Sequence, residues 1–201
     1  MEHTKLRNYL QRFSPLPDSD WDFFVSRLQQ RIFRKKELIL AAGKVEQYVN
    51  FIDSGIIRYF IVEEEKDITF EIAFESSFAT AYDSFLTRMP VRYSGEALTD
   101  TVLWSIGYGH LQEMYARTTV GDRIGRLAAE ELYIRKNQRQ MSLLKDGAEL
   151  RYKALMRDYP HLLRHVPLKY LASFIGNRAQ RRLRPGRSEC PELRRRSPPR
   201  P

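Results

Sequence analysis

Metal or nucleophile chemistry in this chain would have to come from very few side chains. The histidines are His3, His110, His161 and His165, and Cys190 is the only cysteine. One thiol cannot form an internal disulfide or hold an iron–sulfur cluster. A metal enzyme built on strands needs two or three histidines and a carboxylate converging on one point, and only His110 lies near the end of a strand-like segment. His161 and His165 share a helical face, but in an arginine-flanked turn such a pair reads as surface. Glycine-rich phosphate loops, a nucleophile elbow and HExxH are all missing from the sequence. It therefore predicts a non-catalytic protein, with no catalytic and no metal-ligating residues.

Charge is the other chemical resource. The 201 residues carry 34 Lys and Arg against 25 Asp and Glu, a net charge of +9. Residues 177–201 hold nine arginines and two glutamates and so contribute +7, which leaves +2 for residues 1–176. A basic excess of this kind suits a polyanion such as nucleic acid, but here it belongs to the tail. No stretch reaches the roughly 20 apolar residues of a membrane helix, and Met1–Lys5 lacks an apolar leader. With a single cysteine, the expected setting is the cytoplasm, without membrane contact.

Hydropathy periodicity divides the chain. Leu6, Tyr9, Leu10 and Phe13 line one helical face, ended by Pro15 and Pro17; Trp21, Phe24, Val25 and Leu28 line a second, which Asp18, Ser19 or Asp20 can cap. From Arg31 the apolar runs are short and period-two or continuous. They predict strands at 32–33, 38–40, 49–52, 56–62, 68–74, 93–98 and 102–108, with a helix over 81–87. Closely spaced strands of this kind imply a sandwich or roll, because edges need closure or a second sheet. Beyond Gly109 the pattern is helical over 110–117, 120–144, 148–159 and 161–166. Val120, Leu127, Ile134 and Met141 recur every seven residues, with Ile124 between, as in a dimer helix or a helix packed on the roll. The alternating core positions would be Glu131 and Gln138, which disfavours a dry two-stranded seam.

The run from Ala42-Gly43-Lys44 through Val49-Asn50-Phe51-Ile52 to Asp53-Ser54-Gly55, followed by Ile56–Phe60, resembles the first turns of a cyclic-nucleotide-binding β-roll. Val166–Gly176 resembles the first helix and turn glycine of a helix-turn-helix, with Leu168, Leu171, Ala172 and Ile175 as its buried face. In this order the segments resemble the cyclic-AMP receptor protein (Crp/Fnr) family of bacterial transcription regulators over residues 1–176. The resemblance implies an α+β fold: an N-terminal double-stranded β-helix (jelly-roll, β-roll) sensor at 1–117, a dimerisation helix at 118–145, and a partial winged helix-turn-helix at 146–176. An Arg/Pro-rich tail at 177–201 is expected to be disordered.

The resemblance also frames the ligand and the partners. Cyclic-AMP-binding members hold the phosphate with a Gly-Glu-Leu helix start and an Arg-Ser pair, since a phosphodiester needs a fixed cation and backbone donors. Here Phe78–Tyr82 and Val91–Ser94 depart from both. Cyclic AMP is thus not expected, nor a metal or iron–sulfur cluster, and the effector, if any, is unidentified; pocket candidates are Thr80, Tyr82, Arg92, Tyr93 and Ser94. The implied partners are a second copy, DNA and RNA polymerase, with Lys169, Tyr170, Ser173, Asn177, Arg178, Arg181 and Arg182 as DNA candidates. Pro185-Gly186 stops any recognition helix early. The composition shift after Gly176 suggests a change of reading frame, and DNA binding that is weak or non-specific. The alternative is a non-catalytic β-roll interaction protein whose basic tail binds RNA or another polyanion.

Overall fold

The computed structural model describes residues 3–64, 66–160 and 162–176, with the side chain of Leu163 also undescribed. His161, the DNA candidates Asn177, Arg178, Arg181 and Arg182, and the tail therefore lie outside the described residues.

Two helices come first, α1 (Thr4–Gln11) and α2 (Asp18–Val25). The strands are β1 (Gln29–Phe33), β2 (Leu38–Leu40), β3 (Tyr48–Ser54), β4 (Ile56–Glu63), β5 (Lys66–Phe74) and β6 (Phe78–Ala79); after helix α3 (Tyr82–Thr87) come β7 (Ser94–Ala97) and β8 (Thr101–Gly107). They make two antiparallel four-stranded sheets, ordered β1-β8-β3-β6 and β2-β7-β4-β5. This is the expected β-roll, with one strand more than the sequence predicted. β6 is two residues long and lies in Phe78–Tyr82, the stretch aligned with the family's short helix start; two residues show no period.

Alternation assigns each strand's two faces. Phe51, Trp104 and Ile106 turn towards the helices and pack with Leu6, Leu10, Trp21 and Phe24. Their neighbours Ile52 and Leu103, with Ile57 and Tyr59, fill the space between the sheets. Each such fully buried side chain contributes about 1.5–3 kcal/mol of hydrophobic stabilisation. The turn into β4 needs Gly55: its φ is +106°, and a Cβ there would stand 2.4 Å from Thr101 Oγ1.

The C-terminal helices are α4 (Tyr108–Arg117), α5 (Gly121–Lys145), α6 (Ala148–Asp158), α7 (Leu162–His165) and α8 (Leu168–Phe174). At 25 residues α5 is about 37 Å long. The capping expectation needs correction, since Pro17 precedes α2 and no side chain caps it. The buried Asp20 carboxylate instead accepts hydrogen bonds from Thr119 N (2.8 Å), Thr119 Oγ1 (2.7 Å) and Val120 N (3.1 Å), at the start of α5. A carboxylate there satisfies orphan N–H groups and complements the helix dipole.

The heptad stripe also divides. Ile124 is buried in the helix-side core and Val120 packs against it, whereas Leu127 is half-buried and Ile134 and Met141 are exposed. One apolar repeat serves two surfaces because its later members lie on the side of α5 away from Lys136 and Arg139, which meet β5. On α8 the buried face is Leu171 and Ile175, with Ala172 partly covered; Leu168, expected there, is 70% exposed because it stands at the first helical position.

Asp20→Ala removes the anchor between α2 and α5. It is expected to lower the free energy of unfolding in urea by about 1–2 kcal/mol, measured with the slope of the transition unchanged.

Candidate functional site

A cavity of about 130 Å³ lies where the open end of the roll meets α5. Its walls come from distant parts of the chain: Tyr9 and Leu10 from α1, Tyr59 and Ala73 from the inner strands, Tyr82 from α3, and Tyr115 from α4. On α5, Ile124, Gly125, Ala128 and Leu132 line it at helical spacing. Gly125 is needed where it stands, since a Cβ would lie 2.5 Å from the Tyr115 ring. The wall is mostly apolar, with tyrosines as its principal polar groups, and burial raises the hydroxyl pKa of Tyr9, Tyr59, Tyr82 and Tyr115.

The lining also carries charge. Asp20, Glu71, Glu131, Arg135 and Lys136 are part of it; Lys136 donates to Glu71 and Arg12 pairs with Glu131 at 3.5 Å. Burial and then the Arg139 guanidinium lower the Lys136 ammonium to about 8, while pairing with Glu71 works the other way. In the roll interior Arg31 stacks on Phe33 and Tyr48, near Glu46. Glu46 is buried, and desolvation raises its carboxyl pKa against the pull of backbone N–H groups, Tyr48 first among them.

Of the predicted pocket residues, Thr80 and Tyr82 line the cavity, and Thr80 Oγ1 accepts from Asn50 N. The others do not join them. Arg92 is exposed; Tyr93 donates its hydroxyl to Asp83 and packs edge-on to Phe70 and Tyr59; Ser94 Oγ accepts from Ala42 N. The fixed cation that a cyclic phosphodiester requires is therefore not supplied by Arg92, and the cations in the cavity lining are Arg135 and Lys136 of α5. Tyr9, Tyr59 and Tyr115 were missed because they reach the cavity from three separate elements, with no spacing to mark them. Among the described residues no three of His, Cys, Asp and Glu converge to hold a metal, and no helix is long and apolar enough to cross a membrane.

The C-terminal helices dock on the outer face of the second sheet, where Leu162, Val166 and Leu171 pack with Ile72 and Leu98. At the centre is Arg58 of β4, whose side chain is 2% exposed. It donates to Glu96 (2.8 Å), Asp67 (2.7 Å) and Thr69 Oγ1 (3.2 Å), and its guanidinium lies 3.9 Å and 3.8 Å from the ring centres of Phe60 and Tyr170. Burial works against its charge, but these carboxylate bonds hold its pKa above the ordinary arginine value. Ser173 donates to Thr69 O at 3.2 Å. Arg139 of α5 bridges Phe70 O (3.1 Å) and Phe174 O (2.7 Å), and Arg151 donates to Ile175 O, so two cations serve the carbonyl end of α8. Tyr170 and Ser173, two of the DNA candidates, thus face the roll, while Lys169 remains exposed.

Residues 30–118 match the family model described as the cyclic nucleotide-binding domain. No curated protein matches the sequence. Solved structures with the same fold include a cyclic nucleotide-binding domain from Methylobacillus flagellatus, 14% identical over 68% of this chain and 79% of that one, with a TM-score of 0.61. The sensor domain of the transcriptional regulator DNR from Pseudomonas aeruginosa is 14% identical over 69% of this chain and 90% of that one, at 0.55. Catabolite Activator Protein from Thermus thermophilus is 22% identical over 82% of this chain and 79% of that one, at 0.53. At these identities the likeness is one of fold. It bears out the expected cyclic-nucleotide-binding-like roll, of the type found in regulators resembling the cyclic-AMP receptor protein.

Tyr170→Ala removes one face of the Arg58 sandwich. Amide hydrogen exchange within residues 168–174 is expected to accelerate about tenfold, the equivalent of roughly 1.4 kcal/mol of local opening, while the β3 and β8 amides keep their protection.

Proposed function

We propose that this chain is an effector-sensing transcription regulator in which occupation of the cavity is transmitted along α5 and β5 to the C-terminal helices. The observation that carries this reading is that the same two elements border both sites. On α5, Ile124, Ala128 and Leu132 line the cavity, and Arg139, two to four turns further on, holds α8. On β5, Ala73 and Glu71 line the cavity, and Phe70 and Thr69 bond to Arg139 and Ser173. A ligand that displaces α5 against β5 therefore changes the seat of α8. Only a difference in affinity for two arrangements moves such an equilibrium.

Ile134 and Met141, with Tyr133 and Leu144, leave an apolar stripe exposed on the distal half of α5, which suits a second copy of the chain. DNA contact falls to Lys169 and, once α8 leaves the roll, to Tyr170 and Ser173, joined by the basic residues beyond 176; RNA polymerase is the downstream partner of such a regulator. The concentration of +7 in residues 177–201 favours a second reading, in which the tail binds RNA or another polyanion without sequence discrimination.

Two measurements test this. In sedimentation velocity the wild type should run as a dimer and Ile134→Glu/Met141→Glu as a monomer; a monomeric wild type removes the dimer. In binding titrations against promoter-derived and random duplexes, a preference of at least tenfold for one promoter duplex supports the regulator. Equal affinities with a steep salt dependence support the polyanion reading instead.

A further inference from the structure

Among the described residues of the cavity wall, one fully buried side-chain polar atom has no hydrogen-bond partner. Tyr59 is 4% exposed, lines the cavity from the interior of the roll, and its hydroxyl has no hydrogen-bond partner. A buried hydroxyl without a partner is costly, and an orphaned group of this kind in a protein interior calls for an explanation. Hydroxyls nearby are engaged: Ser105 donates to Asn50 Oδ1, Thr80 accepts from Asn50 N, and Tyr93 donates to Asp83. The Tyr59 ring cannot readily swing away, because it lies against Gly95, where a Cβ would stand 2.8 Å from it, and beside Phe70 and Tyr93.

Size and charge narrow the partner. A dry apolar cavity of roughly 150 Å³ accepts a benzene molecule, so one of about 130 Å³ suits a single ring or a short branched chain. The lining carries three carboxylates, Asp20, Glu71 and Glu131, against two cations, Arg135 and Lys136, and Lys136 is already paired with Glu71. An anion entering this space gives up its hydration for a lining in which carboxylates outnumber cations.

We infer that the cavity takes a compact, uncharged, one-ring molecule whose hydroxyl, carbonyl or amide group bonds to the Tyr59 hydroxyl. This rests on the reading of the cavity as an effector site and adds the chemical class of the effector. Tyr59 acts as the specificity-determining contact; the rings and α5 supply most of the affinity.

Three probes on one scaffold test it: toluene, 4-methylphenol and 4-methylbenzoate, titrated calorimetrically into the full chain. The Tyr59→Phe variant is expected to fold at least as stably as the wild type, since the lost hydroxyl was unpartnered. In that variant the affinity of 4-methylphenol relative to toluene should fall about threefold to tenfold, with toluene itself unchanged. In the wild type 4-methylbenzoate should bind at least tenfold more weakly than 4-methylphenol. An unchanged ratio in Tyr59→Phe, or 4-methylbenzoate as the tightest probe, overturns the inference. Ala128→Leu, which fills the cavity from α5, separates the two levels. If it weakens toluene and 4-methylphenol while Tyr59→Phe changes nothing, the cavity stands as a binding site and only the assignment of Tyr59 fails. If the probes do not bind, or bind regardless of Ala128→Leu, both fail.

Discussion

The placement of α5 across the open end of the roll is the constraint on which the other features depend. Asp20, reaching from α2, sets where the helix begins by taking the N–H groups of Thr119 and Val120. Ile124, one turn on, is buried with Phe24, Leu111 and Met114, so the first turns belong to the core. A rigid helix fixed at one end delivers its later residues to set positions. Lys136 meets Glu71, and Arg139 meets the carbonyls of Phe70 and Phe174. The cavity exists because small residues occupy the stretch between: Gly125, Ala128 and Ala129 keep α5 from filling the mouth of the roll.

Charge is handled differently in the two regions that α5 joins. Under α8 a single arginine is buried, and it is tolerated because Glu96, Asp67 and Thr69 take its donors while Phe60 and Tyr170 cover its faces. Removing one partner from such a set costs more than the pair contributes. Around the cavity the lining is largely aromatic and aliphatic, with Asp20, Glu71 and Glu131 against Arg135 and Lys136. A cyclic phosphodiester needs a fixed cation and backbone donors, and the sequence departs from the family's pattern for them at Phe78–Tyr82 and Val91–Ser94.

Most of the roll was legible in the sequence because its cause is local. Gly55 marks a turn that tolerates no Cβ, and the alternation through Val49–Ile52 and Ile56–Val62 fixes which side chains face the interior. The site was legible only at Thr80 and Tyr82, next to a recognisable strand-to-helix junction. Tyr9, Tyr59 and Tyr115 converge from α1, β4 and α4, and no spacing rule links them. The heptad through Val120, Leu127, Ile134 and Met141 was a true signal with an ambiguous meaning, because periodicity records that a face is apolar and not what covers it. Leu168 misled for a related reason: it keeps the helical period but stands at the first position of α8, beyond the sheet that covers Leu171.

Coupling along α5 is tested most directly by amide hydrogen exchange of residues 168–174 in the wild type and in Ala128→Leu. Residue 128 lies about 16 Å along the helix axis from Arg139 and lines the cavity, not the seat of α8. Transmission through α5 and β5 predicts that filling the cavity changes exchange in α8 by at least threefold while the core of the roll stays protected. Unchanged exchange in α8, with the cavity demonstrably filled, would contradict it.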